Sequence, residues 1–86
     1  MAVLRILGGL RRFGAEQAVT GDTVAVVLHH APVPAAILFP DGQLNRDIEV
    51  LVNGRNIAFL NGLDTHVTGD DRVTIFLHGA RGYPGG

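Results

Sequence analysis

At 86 residues without a cysteine, the chain is a single domain near the size at which one apolar core suffices, burying roughly 60–65% of its unfolded surface. Neither disulfides nor a thiolate metal site can supplement that core. All seven basic residues are arginine, and lysine, serine and tryptophan are also absent, which removes two common nucleophiles and the Schiff-base amine. A net charge of −1 offers no basic field to nucleic acid, and nothing aromatic interleaves with Arg5, Arg11 and Arg12, so a solvated rim is expected there. The longest apolar run, Ala31 to Pro40, holds three prolines and falls far short of the ~20 residues that span a bilayer. Met1 to Leu10 lacks the layout of a signal peptide, and a soluble cytoplasmic protein with no membrane partner is expected.

In chain order, Val3 to Leu7 is short, apolar and bounded by Gly8-Gly9, which reads as a first strand. A weaker strand follows over Ala15 to Val19, before the Gly21-Asp22 turn. Thr23 is placed to cap a helix through Val24 to His30, which Pro32 and Pro34 would stop. The three valines in that stretch also suit a buried strand, so periodicity leaves both readings open. Ile48, Val50 and Val52 alternate with Asp47, Glu49 and Leu51 and run into Asn53-Gly54, a pair that tolerates the positive φ angles of a tight hairpin turn. Arg55 to Phe59 is read as the returning strand. Gly69-Asp70-Asp71 turns the chain into Arg72 to Leu77, where Val73, Ile75 and Leu77 supply one apolar face and Phe76 contributes to the other. Such a strand is expected inside the sheet.

Two strands, a helix, a hairpin and a final strand is the order of an α+β, β-grasp (ubiquitin-like) fold, a mixed sheet with one main helix packed on one face. "LGGLRRFGA", "DGQL", "VLVNGRNIAFLNGLDTHVTGDDRVTIF" and the terminal "GG" are similar to the small subunit of molybdopterin synthase and its relatives in the ubiquitin-like sulfur-carrier family. The stretch from Val50 to Phe76 carries most of that likeness, because the Asn-Gly-Arg turn, the Gly-Leu-Asp-Thr loop and the Gly-Asp-Asp turn fall in the family's order. Two departures stand out. The helix is shorter than is usual in the family, and "LHGARGYPGG" puts ten residues between Phe76 and the end, a reach of about 33–36 Å if extended. Residues 1–77 are therefore read as the β-grasp domain and 78–86 as a flexible tail ending in Gly-Gly.

The resemblance implies a protein that is not an enzyme and binds no cofactor of its own. An activating enzyme using MgATP adenylates the terminal carboxylate of Gly86. A sulfur nucleophile then converts it to a thiocarboxylate for a sulfur-accepting synthase such as a molybdopterin-synthase large subunit. A free carboxylate is a poor acyl donor, so activation must come first. Gly85 supplies clearance for the narrow channel that such chemistry needs, having no Cβ. Arg81, Tyr83 and Pro84 are candidate contacts in the partner's groove. Phe59, Leu60 and Phe76 form either a partner patch on the outer sheet face or part of the core, since register is not fixed by the pattern. The alternatives are a protein modifier conjugated to target lysines through Gly86, and a plain binding module.

No metal site is expected. His29 and His30 are neighbours and point to different sides, whereas a metal pair on a helix wants i, i+4 spacing, and His66 and His78 stand alone. Asp64, Asp70 and Asp71 lack calcium-loop spacing and read as turn residues. Gly8-Gly9 is not followed by the Lys-Ser or Lys-Thr of a phosphate loop. A β-grasp ferredoxin is excluded by the missing cysteines.

Overall fold

A computed structural model describes residues 1–77; the segment 78–86 lies outside the described residues. The sheet has five strands in the order β2-β1-β5-β3-β4: β1 (Ala2–Ile6), β2 (Glu16–Val19), β3 (Ile48–Val52), β4 (Arg55–Asn56) and β5 (Arg72–Leu77). β1 pairs antiparallel with β2 and parallel with β5, while β3 pairs antiparallel with β5 and β4. This is the ubiquitin-like β-grasp arrangement. β5 occupies the centre, as its alternating pattern predicts.

The period-2 alternation sets the two faces. Ala2, Leu4 and Ile6 of β1, Val50 of β3, and Val73 and Ile75 of β5 are buried, and each contributes about 1.5–3 kcal/mol of apolar burial for a Val, Leu or Ile side chain. Leu77 lies on the same side of β5 but is 42% exposed. The expectation that it completes the inner face is corrected, because it sits at the strand's end, beyond the helices that cover the middle.

Those covering helices are short. Thr23 caps α1 (Val24–His29), its hydroxyl oxygen accepting from the Val26 amide at 3.3 Å, and Val24, Val27 and Leu28 turn into the core. The helical reading of this stretch is thus the one the fold adopts. Thr23 Oγ satisfies an amide that a strand would have to pair elsewhere. Gly21 lets the chain enter at close quarters: a Cβ there would lie 2.8 Å from the Val27 backbone nitrogen.

The prolines do stop α1, and Pro34 then starts a further helix, α2 (Ala35–Leu38), that the pattern did not predict. It buries Leu38. Asn45 ties α2 to the sheet, donating from Nδ2 to the Ile37 carbonyl at 2.9 Å and from its amide to that of Leu38 at 2.8 Å.

The returning strand is also shorter than predicted. β4 ends at Asn56, whose side-chain oxygen accepts from the Ala58 amide at 2.9 Å and caps a 3-10 turn over Ile57–Phe59. Local capping outcompetes the ladder there, and Ile57 drops into the core instead of extending the strand. No helix among the described residues is long and apolar enough to cross a membrane.

Candidate functional site

The described residues end at Leu77, the last residue of the central strand β5. Leu77 stands opposite Ile48 of β3, and on the other side the Leu7 amide donates to the Ile75 carbonyl at 3.0 Å. The 3-10 turn Gly8–Phe13 closes over this end, where a Cβ on Gly9 would lie 3.4 Å from Leu77 Cδ1. A segment leaving Leu77 therefore starts at a rigid point flanked by β3 and that turn. Gly85 and Gly86, with Arg81, Tyr83 and Pro84, lie outside the described residues.

The outer face of the sheet is the second element of the site. Register places Arg5 beside Thr74 and Thr74 beside Leu51, while Val3 neighbours Arg72 and Glu49 neighbours Phe76. Arg5, Leu7, Leu51, Asp70, Arg72 and Thr74 are among the residues that line an open depression of about 630 Å³. It mixes apolar and polar groups in the way of surfaces that associate reversibly.

The three predicted patch residues are not brought together. Phe76 is half-buried on the outer face of β5, one residue before the tail begins. Phe59 is 86% exposed and Leu60 packs partly against the core, but both follow the edge strand β4, with β3 between them and β5. Only Phe76 belongs both to the outer face and to the exit end. Arg5, Leu51, Arg72 and Thr74 were missed. The signal for them was the same alternation that marked the inner residues, read for what it leaves outside.

Two motifs that look like functional punctuation prove to clasp each other. Asn53, at φ 51°, heads the hairpin turn; its Nδ2 donates to the Asp71 carboxylate at 2.9 Å, and its Oδ1 accepts from the Arg72 amide at 3.0 Å. Asp71 also accepts from the Thr68 amide at 2.8 Å. The Asn53 side chain first, and then the Thr68 amide, hold the Asp71 carboxyl below its ordinary value of 3.8. The clasp locks the sheet at the end opposite the tail. On the outer face, Asn56 donates to the Glu49 carboxylate.

His29 and His30 have local partners. His29 Nδ1 bonds the Ala25 carbonyl at 2.8 Å and its ring stacks on Phe39 with centroids 4.9 Å apart, while His30 Nδ1 bonds the Thr20 carbonyl at 2.8 Å. Among the described residues, no group of three or more His, Cys, Asp or Glu side chains is placed to hold a metal ion.

No protein-family model matches the chain. A curated Archaeoglobus fulgidus protein carrying the provisional name of sulfur carrier protein is 46% identical over 39 residues, a stretch that covers 45% of this chain and 44% of the relative's own length. Among solved structures, small archaeal modifier protein 1 of Methanosarcina acetivorans matches with a TM-score of 0.83 and 26% identity over 94% of this chain and 95% of its own. A chain of the Amycolatopsis orientalis BexX/CysO complex matches with a TM-score of 0.81 and 26% identity over 95% of this chain and 100% of its own. Urm1 of Trypanosoma brucei, 18% identical with a TM-score of 0.67 over 92% of this chain and 94% of its own, shares the fold. The chain thus has the ubiquitin-like β-grasp fold and is similar along most of its length to small archaeal modifier protein 1 and to a chain of the BexX/CysO complex, while it spans less than half the length of the curated relative it matches.

Proposed function

We propose that this protein is a sulfur carrier, a protein co-substrate and not an enzyme. Its Gly86 carboxylate is adenylated by an activating enzyme using MgATP and converted to a thiocarboxylate. The observation that carries this reading is the match, along almost the whole chain, to a structure containing CysO and to small archaeal modifier protein 1. A β5 that ends at the sheet's centre suits the chemistry. The globular part docks by its outer face, and a segment starting beside it enters the partner's channel. The likeness of Val50 to Phe76 to the small subunit of molybdopterin synthase supports a pterin synthase large subunit as the acceptor. That one solved relative comes from a complex with BexX supports a protein partner more broadly.

The test is incubation with a cognate activating enzyme, ATP, magnesium and a sulfur donor. The expected product is a mass gain corresponding to one carboxyl oxygen replaced by sulfur. Deleting Gly86 should abolish it and leave the melting temperature unchanged, because the deletion removes no side chain and leaves β5 whole. An unmodified native chain, with an activating enzyme proven competent on it by pyrophosphate exchange, would refute the carrier assignment.

A second reading has its own support, since several of the matching structures are small archaeal modifiers. In that case the activated Gly86 carbonyl is transferred to lysine amines of other proteins. An N-terminally tagged chain expressed in its host would then give a ladder of adducts in denatured lysate, and the ladder would vanish with Gly86.

A further inference from the structure

The chain has four asparagines, and three of them use both ends of the side-chain amide. Asn45 donates to the Ile37 carbonyl at 2.9 Å and accepts from the Asp47 amide at 2.8 Å, and Asn56 donates to Glu49 and accepts from the Ala58 amide. Asn53 does the same across the clasp with Asp71 and Arg72. Asn61 is the exception. It is exposed, and among the described residues its side chain has no hydrogen-bond partner. Two of the four, Asn53 and Asn61, are followed by glycine.

An Asn-Gly pair carries a latent reaction. The glycine amide nitrogen can close a five-membered ring on the asparagine Cγ, an intramolecular attack that the missing glycine Cβ leaves unhindered. The nitrogen forms a C–N bond to Cγ, the bond from Cγ to Nδ2 breaks, and ammonia departs with the electron pair and the proton that the backbone nitrogen gives up, leaving a succinimide. Water then opens the ring. Cleavage at Cγ leaves aspartate, and cleavage at the main-chain carbonyl leaves isoaspartate, whose backbone runs through the side chain. The balance is amide plus water to acid plus ammonia.

The fold treats the two pairs differently, although both asparagines are exposed. At Asn53 the Arg72 amide holds Oδ1 at 3.0 Å and the Asp71 carboxylate holds Nδ2 at 2.9 Å, so Cγ is pinned toward β5. Both bonds must break before the Gly54 nitrogen can reach it. At Asn61 no side-chain bond stands in the way. Gly62 opens the 3-10 turn Gly62–Asp64, so its amide has no partner within that turn, and the backbone restraint to be released is the 3.0 Å bond from the Asp64 amide to the Asn61 carbonyl. Bonds of this 3-10 kind have poorer geometry than those of an α-helix.

We propose that Asn61 is a site of spontaneous deamidation in the folded chain, with water as co-reactant, and that the clasp shields Asn53 from the same reaction. Conversion of Asn61 to aspartate adds a carboxylate to a chain of formal net charge −1 and removes no side-chain hydrogen bond among the described residues. Conversion of Asn53 would set a second carboxylate against that of Asp71 and remove the donor that joins them. The site does not depend on how Gly86 is used.

The experiment ages the full chain at mildly alkaline pH in heavy-oxygen water, folded in buffer and unfolded in concentrated guanidinium chloride. Peptide mapping reads each Asn-Gly pair for the amide-to-acid mass change, the heavy label and isoaspartate. In the folded chain, conversion at Asn61 should exceed that at Asn53 at least about tenfold, the factor that two net hydrogen bonds represent. In guanidinium the two rates should converge. Asp71→Ala should raise the Asn53 rate toward that of Asn61, and Asn61→Gln should remove the fast conversion.

Folded-state conversion at Asn61 no faster than at Asn53 overturns the proposal. A preference for Asn61 that persists undiminished in guanidinium overturns its structural half, since neighbouring residues and not the fold would then set it. An Asp71→Ala chain that still shows a melting transition yet leaves Asn53 unreactive overturns the assignment of the shield to the clasp, and the wild-type comparison stands whether or not that variant folds.

Discussion

The two faces of the sheet are built by the same alternation and come to opposite ends. The inner face, with Leu4, Ile6, Val73 and Ile75, is excluded from water by α1 and the segments around α2. The outer face, with Val3, Arg5, Leu51, Thr74 and Phe76, is left half-exposed and unevenly polar. One face holds the molecule together, and the other is covered by no element among the described residues. The contrast teaches that in a chain this small, residues suited to association can be recognised by being affordable to lose.

Substitutions at paired positions on β5 should separate the faces most sharply. Ile75→Ala removes a fully buried side chain and should cost about 2–5 kcal/mol, read as a fall in the urea midpoint. An Ile75→Ala chain as stable as wild type would mean that the inner face is not the core. Asn53→Ala should come next. It deletes two hydrogen bonds and places alanine at a positive φ, for about 1–2 kcal/mol, with the largest loss of amide protection at the Thr68–Arg72 turn.

Phe76→Ala on the outer face should lower stability by under about 1 kcal/mol while raising the KM for activation about tenfold, a split that a core residue would not show. Equal and large losses in both would put Phe76 with the core.

The smallest effect expected is one of pH. The Asp71 carboxyl is held below 3.8 in the folded chain, so the folded state binds its proton less readily than the unfolded one. Its contribution is therefore complete above pH 3.8 and is lost as pH falls from there through the folded value. Asp71→Asn should flatten the acid limb of the stability profile in that window alone, and an unchanged limb would show the clasp to be energetically silent.

Much of this was legible in the residues. The alternation in β3 and β5, the Asn53-Gly54 turn and the Thr23 cap each depend on near neighbours, and each appears where the pattern puts it. Part of what escaped depends on distant ones, and part on local signals that admit two readings. That Asn53 would find Asp71, 18 residues on, needs the register of β3 against β5, which no local signal fixes. β4 was drawn too long because Asn56 reads as a strand residue until its side chain is seen capping Ala58. α2 was missed because two prolines and an apolar run look like a stop, although a proline is also a suitable helix start. The terminal Gly-Gly that motivates the functional reading lies outside the described residues, so its role rests on resemblance and on the chemistry of carboxyl activation.

The central place of β5 has a consequence for how such a molecule comes into being. β1 with β2, and β3 with β4, are hairpin-like pairs that can form as soon as they are synthesised, but neither touches the other across the sheet until the strand between them arrives. Among the described strands it is the last one made. The ribosome must finish residues 72–77 before a complete core exists, and the closing contacts join positions far apart in the chain, the slow class of pairing in folding. A chain cut before residue 72 lacks the strand that joins β1 to β3 and cannot close this sheet. Arrival of β5 and completion of the core are a single event.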